Sequence, residues 1–191
     1  HDTFEDGIGT WARSGPDRAG REHSALLIRD DRLPASGSYS LKLFNELVGG
    51  LAGAQISTAS INAGKHPIVS FDCRMEEEVL VDLLFTGGVG QSRITLTDND
   101  HRNTAYHVGS FSPTMVPDGC WQHVEVNWHD LLAALPYSAA NFSISNLRIG
   151  DFGWTGNREG ATYWIDNFRV APTLSTAGSG LPLRWSAADP A

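Results

Sequence analysis

Apolar residues recur with a period of two along this chain, and Gly, Asp, Asn and Pro interrupt them at short intervals. Residues 67–75 put Val69, Phe71, Cys73 and Met75 on one face, with Ser70, Asp72 and Arg74 on the other. Residues 79–85 do the same with Val79, Val81, Leu83 and Phe85. The pattern returns over 38–44, 92–97, 104–108, 121–126, 145–150 and 161–170. Side chains alternate between the faces of a strand, so each segment has one face for a core and one for solvent. Strands this short, with turn residues between them, imply an all-β fold, a sandwich or barrel. We expect a two-sheet antiparallel β-sandwich of jelly-roll type over residues 2–171, with strand 2–6 near strand 162–170. The one helix candidate is 129–135, about two turns, stopped by Pro136 and placed to cap one end of the sandwich.

Composition narrows the class. A 41% hydrophobic content over 191 residues is enough for a real core. Only 19% of residues are charged, while there are 20 Gly and 6 Trp, a balance that suits a secreted domain rich in turns. A net charge of -8 offers nothing to phosphates and argues against nucleic acid as a partner. No apolar run approaches membrane-spanning length, so no membrane insertion is expected. The chain opens at His1 without a leader pattern and reads as a mature or excised piece.

Cys73 and Cys120 lack metal-site spacing. They are either two free thiols or a disulfide tying a strand to the 117–119 turn, and spacing alone does not choose. After Pro172 the composition changes. Residues 173–180 are small, polar and Gly-rich, as in a linker. Residues 181–191 alternate again. They read as the first strand of a following immunoglobulin-like domain, or else as a tail.

The order of local signals is similar to that of calcium-binding β-sandwich carbohydrate-binding modules, the galactose-binding-like jelly rolls, and closest in pattern to family 11. The opening Phe4-Glu5 is followed by Trp11. Ala35 to Leu41 form a Ser/Gly loop running into a small-residue strand. Ile68 to Asp72 read Ile-Val-Ser-Phe-Asp. Trp121 to Val126 supply Trp-x-x-Val-x-Val before the short helix, and Trp164-Ile165-Asp166-Asn167-Phe168 closes the domain. The resemblance covers nearly all of residues 2–171.

The resemblance implies a structural Ca²⁺ held by Glu5 and Asp166, with Asp2 as a third acid and oxygens near Ser38 completing the shell; such an ion takes six to eight oxygens. It also implies a sugar lying across the outward face of one sheet, stacked on rings and bonded by polar side chains. By parity the outward residues include Asp72, Arg74, Asp82, Arg93, His107, His123, Glu125 and Arg148. We take Arg74, Asp82, Arg93 and Arg148 as carbohydrate-binding candidates, with Trp154, which lies in a loop with four glycines and has few neighbours of its own to pack on. Tyr106 and Tyr163 point inward by parity. The implied function is a non-catalytic carbohydrate-binding module within a larger secreted protein. Its partners would be a polysaccharide or glycan and neighbouring domains of the same polypeptide. The competing reading is a structural or adhesive module of a surface protein. An enzyme is disfavoured. Glu76-Glu77-Glu78 and Asp98-Asn99-Asp100 read as solvated turns, not as two carboxylates across a cleft.

Overall fold

The computed structural model describes residues 1–13, 25–45, 53–56, 60–87, 90–97, 106–134, 143–151 and 157–172. Twelve strands and one helix occur among them: β1 (Trp11–Arg13), β2 (Ala25–Asp30), β3 (Ser40–Asn45), β4 (Gly53–Ile56), β5 (Ile61–Asn62), β6 (Ile68–Met75), β7 (Asp82–Gly87), β8 (Gly90–Thr97), β9 (Tyr106–Met115), β10 (Trp121–Asn127), α1 (Trp128–Ala133), β11 (Ser143–Gly150) and β12 (Thr162–Ala171). They form a two-layer β-sandwich. One sheet has seven strands, in the order β1-β4-β11-β7-β8-β9 with β5 also on β11. The other has five, in the order β10-β6-β12-β3-β2.

The inward residues are those the alternation selects. Val69, Phe71, Cys73 and Met75 of β6 are buried, and they face Leu83, Phe85, Ile94 and Leu96 of the other sheet across one core. Aromatic rings close one end. Trp11 meets Phe4 at 5.9 Å and Phe168 at 4.9 Å between centroids, both edge-on, the geometry ring quadrupoles favour. At another point of the core, Trp128 of α1 packs on Phe85 at 6.0 Å. The Asn127 side chain starts this helix by accepting from the Asp130 N–H. Both cysteines are free, Cys73 inside the core and Cys120 on the surface.

Two expectations need correction. The sandwich is not wholly antiparallel, because β9 runs parallel to β8, with Ser92 opposite Tyr106 and Arg93 opposite His107. Alternation assigns side chains to faces, and it does so equally for either strand direction. The opening segment 2–6 is not a strand either. It makes one bridge, with the Asp2 N–H donating to the Phe168 carbonyl at 2.8 Å, and then turns at Phe4, whose φ is 60°. That single bridge nevertheless puts the two ends of the domain side by side. The segment 173–191 lies outside the described residues.

Candidate functional site

The outward polar residues divide between two separate surfaces. On the seven-stranded sheet, register aligns Gln55 (β4), Arg148 (β11), Leu84 (β7), Arg93 (β8) and His107 (β9) in one row across the strands. A neighbouring row carries Asp82 opposite Gly150 and Thr95. Over these rows lies a groove of about 150 Å³, whose lining includes Gln55, Leu84, Thr86, Gln91, Asn146 and Arg148. Asn146 sits at φ 52°, where the β11–β7 register shifts between Ser145 and Arg148. Bulges of this kind re-aim side chains at a sheet surface. Amides, a hydroxyl and a guanidinium around one leucine supply donors and acceptors beside a small apolar patch, as sugar binding requires.

The charges beneath this face are buried. Asp82 is 1% exposed and Arg93 7%. The Asp82 carboxylate accepts from the Leu96 N–H at 3.3 Å. Burial pushes its pKa up to about 7, against the opposing pull of Arg93, and Asp151 adds to the rise. Burial also lowers the pKa of Arg148, which Tyr163 and Asp151 counter. Parity therefore identified the face of Asp82 and Arg93 correctly. It could not show that flanking strands seal them from water.

Trp154 lies outside the described residues, but both ends of its loop are fixed. The Asn157 N–H donates to Asp151 at 2.6 Å, and the Asn157 amide brackets Leu80, accepting from its N–H at 2.7 Å and donating to its carbonyl at 2.8 Å. Asp151 and Asn157 are both buried. Asp151 directly follows Gly150, which pairs with Asp82, so this loop is rooted at the margin of the grooved face.

Arg74 does not belong to this surface. It lies on the outer face of the five-stranded sheet, in the row Trp121–Arg74–Trp164–Lys42–Ile28. Its guanidinium sits 5.1 Å from the Trp164 ring centre, and the Lys42 ammonium lies 5.4 Å from the same ring. Trp164 is buried and donates to Asp30 at 2.7 Å. Beside this row, His123 Nδ1 lies 2.7 Å from Asp72, and the other Asp72 oxygen accepts from Asn167 at 2.6 Å. The Asp72 hydrogen bond raises the His123 pKa against the opposing effect of burial. Hydrophobic periodicity is identical for both sheets, so it could not separate Arg74 from Arg93.

The residues expected to hold Ca²⁺ do converge, but their partners are donors. Glu5 Oε1 accepts from the N–H groups of Ser38 (2.9 Å) and Tyr39 (3.1 Å). Gly37 has φ 63°, which favours glycine, and a Cβ there would displace the Glu5 carboxylate from this position. Asp166 accepts from Ala35, Ser36 and Asn167, three N–H groups that oppose the rise that burial causes in its pKa. Asp2 accepts from the Trp11 ring at 2.9 Å. Arg29 of β2, which the sequence did not single out, donates to the carbonyls of Phe4 and Glu5 and stacks 3.2 Å from the Tyr39 ring centre. Among the described residues, no cluster of three or more His, Cys, Asp or Glu could hold a metal. A hard cation needs oxygens facing one point. As arranged, the Glu5 and Asp166 carboxylate oxygens accept from backbone N–H groups, and Arg29 takes the carbonyls of Phe4 and Glu5.

No protein-family model matches the sequence, and a search of curated proteins finds no relative. Solved structures do match. The fold is that of carbohydrate-binding modules. The chain is similar to the CBM22-2 xylan-binding domain from Paenibacillus barcinonensis Xyn10C, with 15% identity over 90% of this chain and 97% of that one and a TM-score of 0.55. It is similar to the C-terminal family 22 module of Clostridium thermocellum Xyn10B, with 19% identity over 92% and 95% and a TM-score of 0.52. It is also similar to a family 11 module from Clostridium thermocellum, described in complex with a β-1,3-1,4-mixed-linked tetrasaccharide, with 14% identity over 90% and 93% and a TM-score of 0.52.

Proposed function

We propose that this chain is a non-catalytic carbohydrate-binding module of a larger secreted protein, taking a polysaccharide across the outer face of its seven-stranded sheet. The observation that carries the reading is the groove over Leu84, lined by Gln55, Gln91, Asn146 and Arg148 on a sheet of this fold. Polar side chains from β4, β11, β7 and β8 converge on it, so an extended sugar chain crossing the strands meets a new donor or acceptor at each strand. The Trp154 loop, rooted at the margin of the face, is the candidate for a stacking ring. The similar structures are described with xylan or a mixed-linked glucan, so these are the first ligands to try. We also propose that the bracket joining residues 4–5 to residues 35–39 and 166 is made by Arg29 and backbone N–H groups without Ca²⁺.

The test is affinity electrophoresis and calorimetry with soluble xylan, mixed-linkage β-glucan and mannan, on the native chain and on Arg148→Ala and Gln55→Ala. Binding that weakens at least tenfold in the groove variants, measured below the melting point of each, is the expected result. A chain that binds no glycan on an array, or groove variants that bind as well as the native chain, would overturn the reading in favour of an adhesive or spacer module.

A further inference from the structure

We propose that the grooved face selects a glycan that carries carboxylates, a uronate-bearing polysaccharide, with one acid group seated against Arg93. The inference rests on the carbohydrate-binding reading above and names its ligand class.

Arg93 stands one strand from Leu84, which lines the groove, and on the same face. It is 7% exposed, and its Nε and Nη1 are buried with no hydrogen-bond partner among the described residues. A guanidinium removed from water is costly unless a counter-charge and acceptors replace the water. The nearest acid of the same face, Asp82, is engaged with the Leu96 N–H, and it carries only part of its charge near neutrality because burial raises its pKa to about 7. A neutral sugar hydroxyl would satisfy an N–H of Arg93 but leave the partly ionised Asp82 as its counter-charge. A carboxylate supplies acceptor and counter-charge together, through a charge-assisted hydrogen bond.

Two further features point the same way. Arg148 lies on the other side of Leu84 in the same row, so two cations flank the apolar centre, about 10 Å apart across three strands. Among the described residues the groove lining includes no Trp or Tyr, and its one aromatic, Phe85, is buried in the core. Recognition on this floor is therefore weighted towards charge and hydrogen bonding. The whole chain has a net charge of -8 and repels a polyanion at long range. Any preference for the acid form of a glycan must come from a local site.

The groups facing Asp82 and Arg93 are Thr95 on β8, Arg148 on β11, Asp151 after it, and position 107 on β9. As pH falls from 8 to 6, Asp82 takes up a proton while a uronate stays ionised, so the floor becomes more positive and binding strengthens. The Asp82→Asn variant isolates this contribution.

The experiment titrates the native chain with glucuronoxylan, polygalacturonate and polymannuronate, each paired with its carboxyl-reduced form. The expected result is that at least one acid polymer binds tenfold or more tighter than its reduced partner. That preference should be lost in Arg93→Gln, retained in part in Arg93→Lys, and lose most of its pH dependence in Asp82→Asn. Equal affinity for acid and reduced forms would overturn the uronate inference and leave the module reading standing. No binding to any of the six polymers, nor to neutral xylan and β-glucan, would overturn both. The comparison of acid with reduced polymer uses the native chain, so it decides the matter even if Arg93→Gln fails to fold.

Discussion

Asp82 is a buried carboxylate whose folded pKa, about 7, lies well above its ordinary value of 3.8. The folded chain therefore binds this proton more tightly than the unfolded chain does. Stability contributed by the protonated form is complete below about pH 4 and is lost as pH rises towards 7, where the buried charge appears. Asp82→Asn keeps an acceptor for the Leu96 N–H and removes that charge. It should stabilise the protein at pH 8 by on the order of 2–4 kcal/mol, since a tenfold change in proton affinity is worth about 1.4 kcal/mol, and change little at pH 4. Urea unfolding at the two pH values measures the difference. A variant no more stable than the native chain at pH 8 would mean that Asp82 keeps an ordinary pKa. Nothing in the local pattern announces this burial. Alternation places Asp82 on the outer face, but its cover depends on which strands flank β7, and β11 arrives from more than sixty residues further on.

Among the elements, those that carry alternation were legible and those that do not were missed. The segments read as strands at 67–75, 121–126 and 161–170 appear as β6, β10 and β12 with shifts of a few residues at their ends. β2 was not recognised, because Ala-Leu-Leu-Ile-Arg-Asp does not alternate, and Arg29 went unnoticed with it. That residue ties β2 to the opening segment, since its guanidinium takes the carbonyls of Phe4 and Glu5. Arg29→Ala should lower stability by about 1–2 kcal/mol, the range for hydrogen bonds from a charged donor in a mostly exposed setting. A chelator should leave the native melting midpoint unchanged. A midpoint that falls by several degrees in chelator would restore the calcium ion to this position. Asn157 is the counterpart on the other side of the sandwich. Removing its amide strands the part-buried N–H and carbonyl of Leu80. Asn157→Ala should cost roughly 2–4 kcal/mol, at about 1–3 kcal/mol for each orphaned group, and a urea titration would read it.

In the whole molecule the two outer faces do different work, and sequence parity could not tell them apart because it says nothing about which sheet a strand joins. On the outer face of the five-stranded sheet several polar groups are matched to one another, although the buried Nε of Arg74 has no hydrogen-bond partner among the described residues. Arg74 and Lys42 lie over Trp164, Trp164 bonds Asp30, and His123 and Asn167 share Asp72. Such a face is stabilised from within and has little left to offer a ligand. The seven-stranded sheet carries the groove and a buried arginine with two N–H-bearing nitrogens, Nε and Nη1, that have no hydrogen-bond partner among the described residues. Paired substitutions should therefore separate binding from stability. Arg74→Ala should leave glycan affinity unchanged and reduce stability by about 0.5–2 kcal/mol, the range for a cation over an indole. Arg148→Ala should cut glycan affinity tenfold or more. Calorimetry and thermal melts on both variants give the four numbers. If Arg74→Ala weakens binding as much as Arg148→Ala does, the ligand lies on the five-stranded face, and the assignment of the groove is wrong.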